Sequence, residues 1–324
     1  MTPISTVLIG DESLLIGCGE QLLEQGHSIR VVISQDAAIR EWAKSKGIET
    51  TAGIAALSGM FEPGGFDWLL SIANLRMIPE AVLALPAKGA VNFHDGPLPH
   101  YAGLNTPAWA IWHGEVEHGI TWHLMTGGVD EGDILVQRLF PIAEDETAFS
   151  LNSKCYAAAV DSFPSLVAQL GSGELRRSPQ DLSGRSYFAR DARPNNAGVL
   201  DMTRPSIELA QQVRALDFGG YRNPLVTPKV IVEGQWLAIS KAEAEDAASP
   251  SAPGTVLEVS GSEMRVVTGK GVLHMSGLSD LSGQAVTVSS LVQPGQVLQA
   301  APVGIDAAAL RAAKGESRCA RALR

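Results

Sequence analysis

The segment VNFHDGPLPHYAG (91–103) places an amide, an imidazole and a carboxylate, Asn92, His94 and Asp95, within four residues. If 89–93 is a strand, residues two apart share a face, so Asn92 and His94 project together at its C-terminal end. An amide N–H and a protonated imidazole N–H converging on one point are the donors needed where a carbonyl oxygen gains negative charge. That favours acyl-group chemistry. With no Ser or Cys in a G-x-S-x-G elbow, direct transfer to an acceptor is more natural than a covalent acyl-enzyme. A carboxylate must complete the set, to hold the imidazole as a cation and to let a proton leave the attacking amine. Asp130 is the better placed, in the turn GGVDEG (127–132), where Gly127, Gly128 and Gly132 let backbone approach a ligand closely. Asp95, Glu131 and Asp133 remain rivals on the residues alone.

The elements around these residues alternate in type. TVLIG (6–10), a helical-period stretch over 12–25 and IRVVIS (29–34) read as β-α-β; a helix over 38–47, a buried strand over 66–72, a proline-opened helix over 79–85 and the strand 89–93 follow. Such alternation predicts an α/β domain with a mostly parallel sheet, whose ligands bind beyond the C-terminal strand ends where His94 and Asp95 emerge. Two further strands, 120–126 and 133–142, flank the glycine turn, and 147–170 reads as a long amphipathic helix. No G-x-G-x-x-G fingerprint follows the first strand, so no dinucleotide is indicated. After a Gly, Ser, Arg, Asp and Pro-rich stretch (171–200), a helix over 206–217 precedes short strands with the spacing of a small antiparallel barrel.

The 324 residues suffice for two domains, and a 45% hydrophobic, 19% charged composition is that of a globular chain. Three scattered cysteines, no signal peptide and no membrane-length apolar run point to a reducing cytoplasm and away from membranes. A net charge of −10 gives no general attraction to nucleic acid, and the basic stretch Arg311–Arg324 reads as a solvated end. Five histidines fall within 94–123 (His94, His100, His113, His118, His123), but none forms a metal-ligand pattern, so no metal is assigned. His123 reads as a core or pocket-wall residue, His113 and His118 as solvated loop flanks, and Trp109 with Trp112 as packing.

The order Asn92-x-His94, Pro99, Gly103, Gly119-Ile120-Thr121 and Gly128-Val129-Asp130-x-Gly132-Asp133 closely resembles the 10-formyltetrahydrofolate-dependent formyltransferases. The resemblance implies a Rossmann-like catalytic domain over 1–190, a linker over 191–204, an OB-like barrel over 205–298 and a tail or linker over 299–324. It further implies 10-formyltetrahydrofolate as co-substrate, Asn92 and His94 on the formyl oxygen, and Asp130 setting the His94 charge and relaying the amine proton. Met77 and Ile78, in the segment Arg76-Met77-Ile78-Pro79, would line the folate slot, with backbone of 126–132, including Gly127, Gly128 and Val129, on its other side. On the residues themselves Asp95 and Tyr101 are assigned to the acceptor, with Asp95 open between binding its ammonium and capping the turn through backbone hydrogen bonds. The chain departs from the family's H-x-S-L-L-P in having His94-Asp95-Gly96-Pro97-Leu98-Pro99, and it lacks the long basic loop that methionyl-tRNA formyltransferases carry after the second strand. Between Leu225 and Ala300, four basic residues face seven acidic ones, a poor surface for tRNA. The wording of FDWLLSIANLRMIPEAVLALP and NFHDGPLPHYAGLN is most similar to formyltransferase domains leading nonribosomal peptide or polyketide assembly lines. The implied acceptor is therefore a carrier-protein-bound aminoacyl group or another small amine, presented by an assembly-line module. A sugar nucleotide, methionyl-tRNA, or water in a hydrolase are the alternatives.

Overall fold

A computed structural model describes residues 2–301; most of the 299–324 tail, including its basic end, lies outside the described residues. The chain divides into two compact units. One comprises the described residues up to Thr106, Glu117–Pro141 and Asn152–Phe188; the other comprises Pro107–Val116, Ile142–Leu151 and the described residues from Ala189.

The first unit opens with β1 (Ser5–Ile9), α1 (Leu14–Glu24), β2 (Ser28–Ile33), α2 (Ala37–Ser45), β3 (Glu49–Thr51), α3 (Leu57–Met60), β4 (Phe66–Ser71), α4 (Glu80–Leu83) and β5 (Pro86–His94). Next along the chain come β6 (Ala102–Gly103), α5 (Thr106–His113, which from Pro107 belongs to the second unit), β7 (Glu117–Leu124), β8 (Ile134–Pro141), α6 (Ala148–Ser172, which from Asn152 belongs to the first unit) and β9 (Tyr187–Phe188). Seven strands form one sheet in the order β3-β2-β1-β4-β5-β7-β8, parallel as far as β5 and antiparallel beyond it. Both faces are covered, as parallel strands require. Leu8, Val32, Leu70 and Val91 join one apolar cluster with α1 and α6, while Val7, Ile9, Ile33, Leu69 and Ala90 join another with Ile78 and Val82.

Local chemistry explains several element ends. Asp36 caps α2 by accepting from the Ile39 N–H at 3.0 Å. Pro164 lies inside α6 and has no N–H to offer the carbonyl four residues back; that carbonyl, of Val160, accepts instead from Gln21 Nε2 at 3.1 Å. Two expectations are corrected. The helix over 79–85 is a single turn, because β5 starts at Pro86 and takes the following residues into the sheet. The strand expected from 120 begins at Glu117, which buries His118 completely rather than leaving it solvated.

The second unit holds α7 (Ser206–Ala215), then β10 (Lys229–Val232), β11 (Gln235–Ala238), β12 (Lys241–Glu245), β13 (Val256–Ser260), β14 (Glu263–Val267) and β15 (Val272–Ser276). These antiparallel strands form a β10-β11 hairpin and a β12-β15-β14-β13 sheet. Glu233 and Gly234 both take positive φ, the geometry of the tight hairpin turn that the strand twist prefers. Leu209, Ala210 and Val213 of α7 pack into the same core as Ala242, Val266, Leu273 and Met275. Trp109 and Trp112 meet edge to face at 6.5 Å, and Trp109 is buried. No helix among the described residues is long and apolar enough to cross a membrane.

Candidate active site

The site is built where β5 turns antiparallel to β7. Asn92 stands opposite His123 and His94 opposite Thr121, so the two-residue period puts four polar side chains on adjoining strand ends. Each donor's direction follows from its neighbours. His94 Nε2 lies 2.6 Å from the Tyr101 carbonyl, which can only accept, so this nitrogen carries a hydrogen and Nδ1 is left to face the site. Likewise His123 Nδ1–H donates to the Leu124 carbonyl at 2.8 Å, and neutral His123 accepts at Nε2 from Asn92 Nδ2 at 3.2 Å. The Asn92 amide is thereby turned N–H first, with its second hydrogen left for a bound oxygen.

Asp130 arrives from the 125–133 connection between β7 and β8. Its Oδ2 is 3.7 Å from His94 Nδ1 and accepts the Gly103 N–H at 2.9 Å, while Oδ1 is 3.4 Å from His123 Nε2. Burial pushes this carboxyl up, but His94, the neighbouring His123 and the Gly103 N–H together outweigh it. They hold Asp130 well below the usual carboxylate range. The loop is fastened from behind: Gln180 Nε2 donates to the Asp130 and Gly132 carbonyls at 2.9 and 2.7 Å, and Arg185 to the Val129 carbonyl at 3.0 Å. A Cβ at Gly132 would stand 1.8 Å from the Leu124 carbonyl oxygen, so only glycine permits this closure. Asp130 and Tyr101 both occupy the left-handed region, at φ 56 and 57, a conformation that such fastening sustains at sites.

Among the rival carboxylates, Asp95 Oδ1 is also near His94 Nδ1, at 3.8 Å. Glu131 instead faces Arg185 at 3.8 Å, and Asp133 lines a cavity beside the loop. The departure from the family's serine has a steric cause: a Cβ at Gly96 would sit 2.6 Å from the Tyr101 oxygen and 2.7 Å from His94 Nε2. Glycine lets those two atoms meet. Thr121 and Gln137 then tie the segment down, Thr121 Oγ1 donating to the Gly96 carbonyl at 2.7 Å and Gln137 to the Leu98 carbonyl at 2.8 Å.

The remaining predicted residues are more dispersed. Met77 is 75% exposed, whereas Ile78 is buried with Val82, Leu85 and Ala90, and Met125 packs against them. A cavity of about 320 Å³ adjoins this wall, lined among others by Ala90, Leu124, Met125, Thr126 and Gly132. Gly127 is open to a side chain, and Gly128 lies against Glu131. The Tyr101 ring is stacked on Phe188 at 5.4 Å, and its carbonyl reaches His94. His123 was legible only as a pocket wall, and its link to both Asn92 and Asp130 depends on strand register.

His118 sits behind Asp95 and donates Nε2–H to the Asp95 carbonyl at 2.8 Å. Burial lowers its pKa to about 4 from the ordinary 6.5; the bond to Asp95 pulls the other way and the His94 charge adds to the fall. Between those values the unfolded chain takes up a proton that the folded chain refuses, so stability declines as pH drops through the window, by about 3 kcal/mol at its acid end. Urea unfolding followed from neutral pH toward pH 4 should show this slope, and His118→Phe should flatten it. An equal slope in both proteins would contradict the assignment.

Comparison with known proteins places the chain in a family. Residues 55–167 match the formyl transferase family and 194–294 match its C-terminal domain. A methionyl-tRNA formyltransferase of Agathobacter rectalis is 25% identical over 289 residues, covering 83% of this chain and 89% of that protein. The N-formyltransferase of Helicobacter canadensis, solved with folinic acid and dTDP-3-aminofucose, superposes with a TM-score of 0.69 at 20% identity, over 85% of this chain and all of that one. HypX of Aquifex aeolicus, solved with tetrahydrofolic acid, gives 0.61 at 17% identity over 86% of this chain and 44% of that one. The structural likenesses carry the fold. Two family patterns matched in chain order, and a relative aligned across most of the length of both proteins, establish more: the chain is a transferase belonging to the formyl transferase family, with that family's two-domain architecture.

Proposed function

We propose that this protein is a 10-formyltetrahydrofolate-dependent N-formyltransferase whose acceptor is a carrier-protein-bound aminoacyl group or a comparable small amine. The observation that carries the reading is the meeting of His94 Nδ1 with Asp130 at 3.7 Å beside an Asn92 amide turned donor-first. Asn92 and His94 hold the formyl oxygen as the amine attacks the formyl carbon, and their hydrogen bonds strengthen as that oxygen becomes anionic. Asp130, kept ionised, stabilises the His94 imidazolium and relays the proton that leaves the attacking nitrogen.

The co-substrate fits the chain's own residues. Ala90 and Met125, packed in one apolar cluster with Ile78, line the cavity beside the 124–132 loop, as a flat, partly apolar pterin requires. In this reading Met77 and Ile78 lie on one side of the folate and the backbone of Gly127, Gly128 and Val129 on the other. The catalytic domain is assigned to 1–190 and the accessory domain to 205–298, with 191–204 as linker. An acidic balance over residues 225–300 weighs against tRNA. The protein acts in the cytoplasm, where the folate co-substrate is made available.

The test is incubation with 10-formyltetrahydrofolate and four amines: an aminoacyl carrier protein, the free amino acid, a nucleotide-linked amino sugar and aminoacylated tRNA. Product mass should rise by one formyl group on the carrier-bound or free amine. Unchanged mass in all four, or formate released at a comparable rate without any acceptor, would overturn the reading.

A further inference from the structure

Two carboxylates approach one nitrogen of His94, and they are not equivalent. Asp130 Oδ2 and Asp95 Oδ1 lie 3.7 and 3.8 Å from Nδ1, beyond hydrogen-bonding reach and within ion-pair reach. Asp130 also takes the Gly103 N–H, faces His123 and is 11% exposed, whereas the Asp95 side chain is 27% exposed. Asp95 therefore combines contact with the catalytic imidazole and access from solution.

Its surroundings come from every neighbouring element. The Thr106 hydroxyl donates to the Asp95 carbonyl at 2.5 Å and lies 3.3 Å from Oδ1, His118 donates to the same carbonyl, and the Cys155 sulfur is 4.0 Å from it. The Tyr156 hydroxyl, on α6, is pushed up first by burial and then by the charges of Glu12 and Asp95, so the β1 loop, the end of β5 and α6 all turn toward this region. Burial raises Glu12, and the charges of Asp11 and Asp36 add to the rise. Arg76, the cation among these groups, is held by Asp11 at 3.3 Å.

We propose that Asp95 is the residue that receives the acceptor, binding its ammonium and taking one proton from it, and that the acceptor is consequently a cationic amine with no phosphate near the reacting nitrogen. This rests on the transferase reading above and names its acceptor class. The proton balance is simple. R–NH3+ gives one proton to the Asp95 carboxylate and becomes R–NH2; its lone pair forms the new C–N bond to the formyl carbon. The bond from that carbon to N10 of the folate breaks, the second amine proton goes to N10, and Asp95 returns its proton to solvent. A division of labour follows: Asp95 takes the first proton, from the ammonium, and Asp130, the counter-ion of His94, relays the second from the attacking nitrogen to N10. Burial raises Asp95, with Asp130 adding to the rise and His94, its own N–H and Thr106 offsetting it. A phosphate-bearing acceptor would bring further negative charge toward Asp95 and Glu12, whose charges both act on the Tyr156 hydroxyl.

The test uses Asp95→Asn, which keeps the shape, and Asp95→Glu, which keeps the charge. Calorimetric binding to the folate-loaded protein would be measured for an aminoacyl-pantetheine thioester, the free amino acid, putrescine and a nucleotide-linked amino sugar; this readout is independent of turnover. Cationic amines should bind the wild type, lose about 10- to 100-fold in affinity in Asp95→Asn and recover in part in Asp95→Glu. In turnover, the acceptor KM should rise by a similar factor while the KM for the formyl donor stays constant, and the acid limb of kcat/KM should vanish in Asp95→Asn. Equal amine affinity and an unchanged acid limb in Asp95→Asn would overturn the proposal, as would tighter binding of the nucleotide-linked sugar than of the other amines by the wild type. Absence of transfer by the wild type, with amine binding still dependent on Asp95, would instead remove the transferase reading and leave the amine site standing.

Discussion

Asp130→Asn should lower kcat/KM for formyl transfer by about 10³- to 10⁴-fold, the scale seen when a buried carboxylate loses the charge that orients and stabilises a catalytic imidazole. The substitution preserves volume and leaves an oxygen for the Gly103 N–H. What disappears is the negative charge 3.7 Å from His94 and 3.4 Å from His123. The carboxyl is held below the ordinary range, so its folded-state charge is present above the unfolded pKa and is lost only as pH falls through the lower folded value. The loss of activity should therefore be as large at pH 8 as at pH 6. Single-turnover kinetics across that range, with circular dichroism to verify folding, would check it; a deficit under tenfold would remove Asp130 from the mechanism.

Asn92→Leu should cost about 10²- to 10³-fold in kcat, the effect of deleting one oxyanion donor, with little change in KM for the formyl donor. The split matters, because a donor that acts only as the oxygen becomes charged contributes to the transition state and not to binding. Leucine also removes the hydrogen bond to His123 Nε2, so His123→Gln is the natural control. Glutamine retains a polar partner for the Asn92 amide and should retain most of the activity. A rise in KM equal to the fall in kcat/KM, with kcat intact, would show that Asn92 merely binds the donor.

Much of this site is legible in the linear order of residues, for reasons that differ from one residue to the next. Asn92 and His94 follow from the two-residue period of a strand, a local property. Asp130 follows from glycines at 127, 128 and 132, since a turn so rich in them signals close approach of backbone. His123 is different: its place opposite Asn92 depends on the register of β5 against an antiparallel β7, and register is fixed by contacts far apart in the chain. His118 was misplaced because Glu117, His118 and Gly119 are poor strand formers by composition, and the sheet recruits them through pairing with β8. For the same reason the polar triplet of β3 gives no signal of its own. The proline-opened helix shortened because burial of Pro86 at the start of β5 outweighs a few residues of helical propensity. In the second unit the strands announce themselves by glycine-bounded apolar runs, while their partition into a hairpin and a four-stranded sheet is again a question of long-range pairing.

The fasteners behind the catalytic loops set the smallest piece of this enzyme that can be excised or grafted. Tyr101 N–H donates to Ser186 Oγ at 2.7 Å, Ala102 and Gly103 pair with Tyr187 and Phe188, and Gln180 and Arg185 grip the turn that carries Asp130. Gln180, Arg185, Ser186, Tyr187 and Phe188 all lie beyond residue 167, where the match to the N-terminal family pattern stops. A truncation designed on that pattern would keep every reacting group and discard what aims them, so any portable catalytic module must run through Phe188.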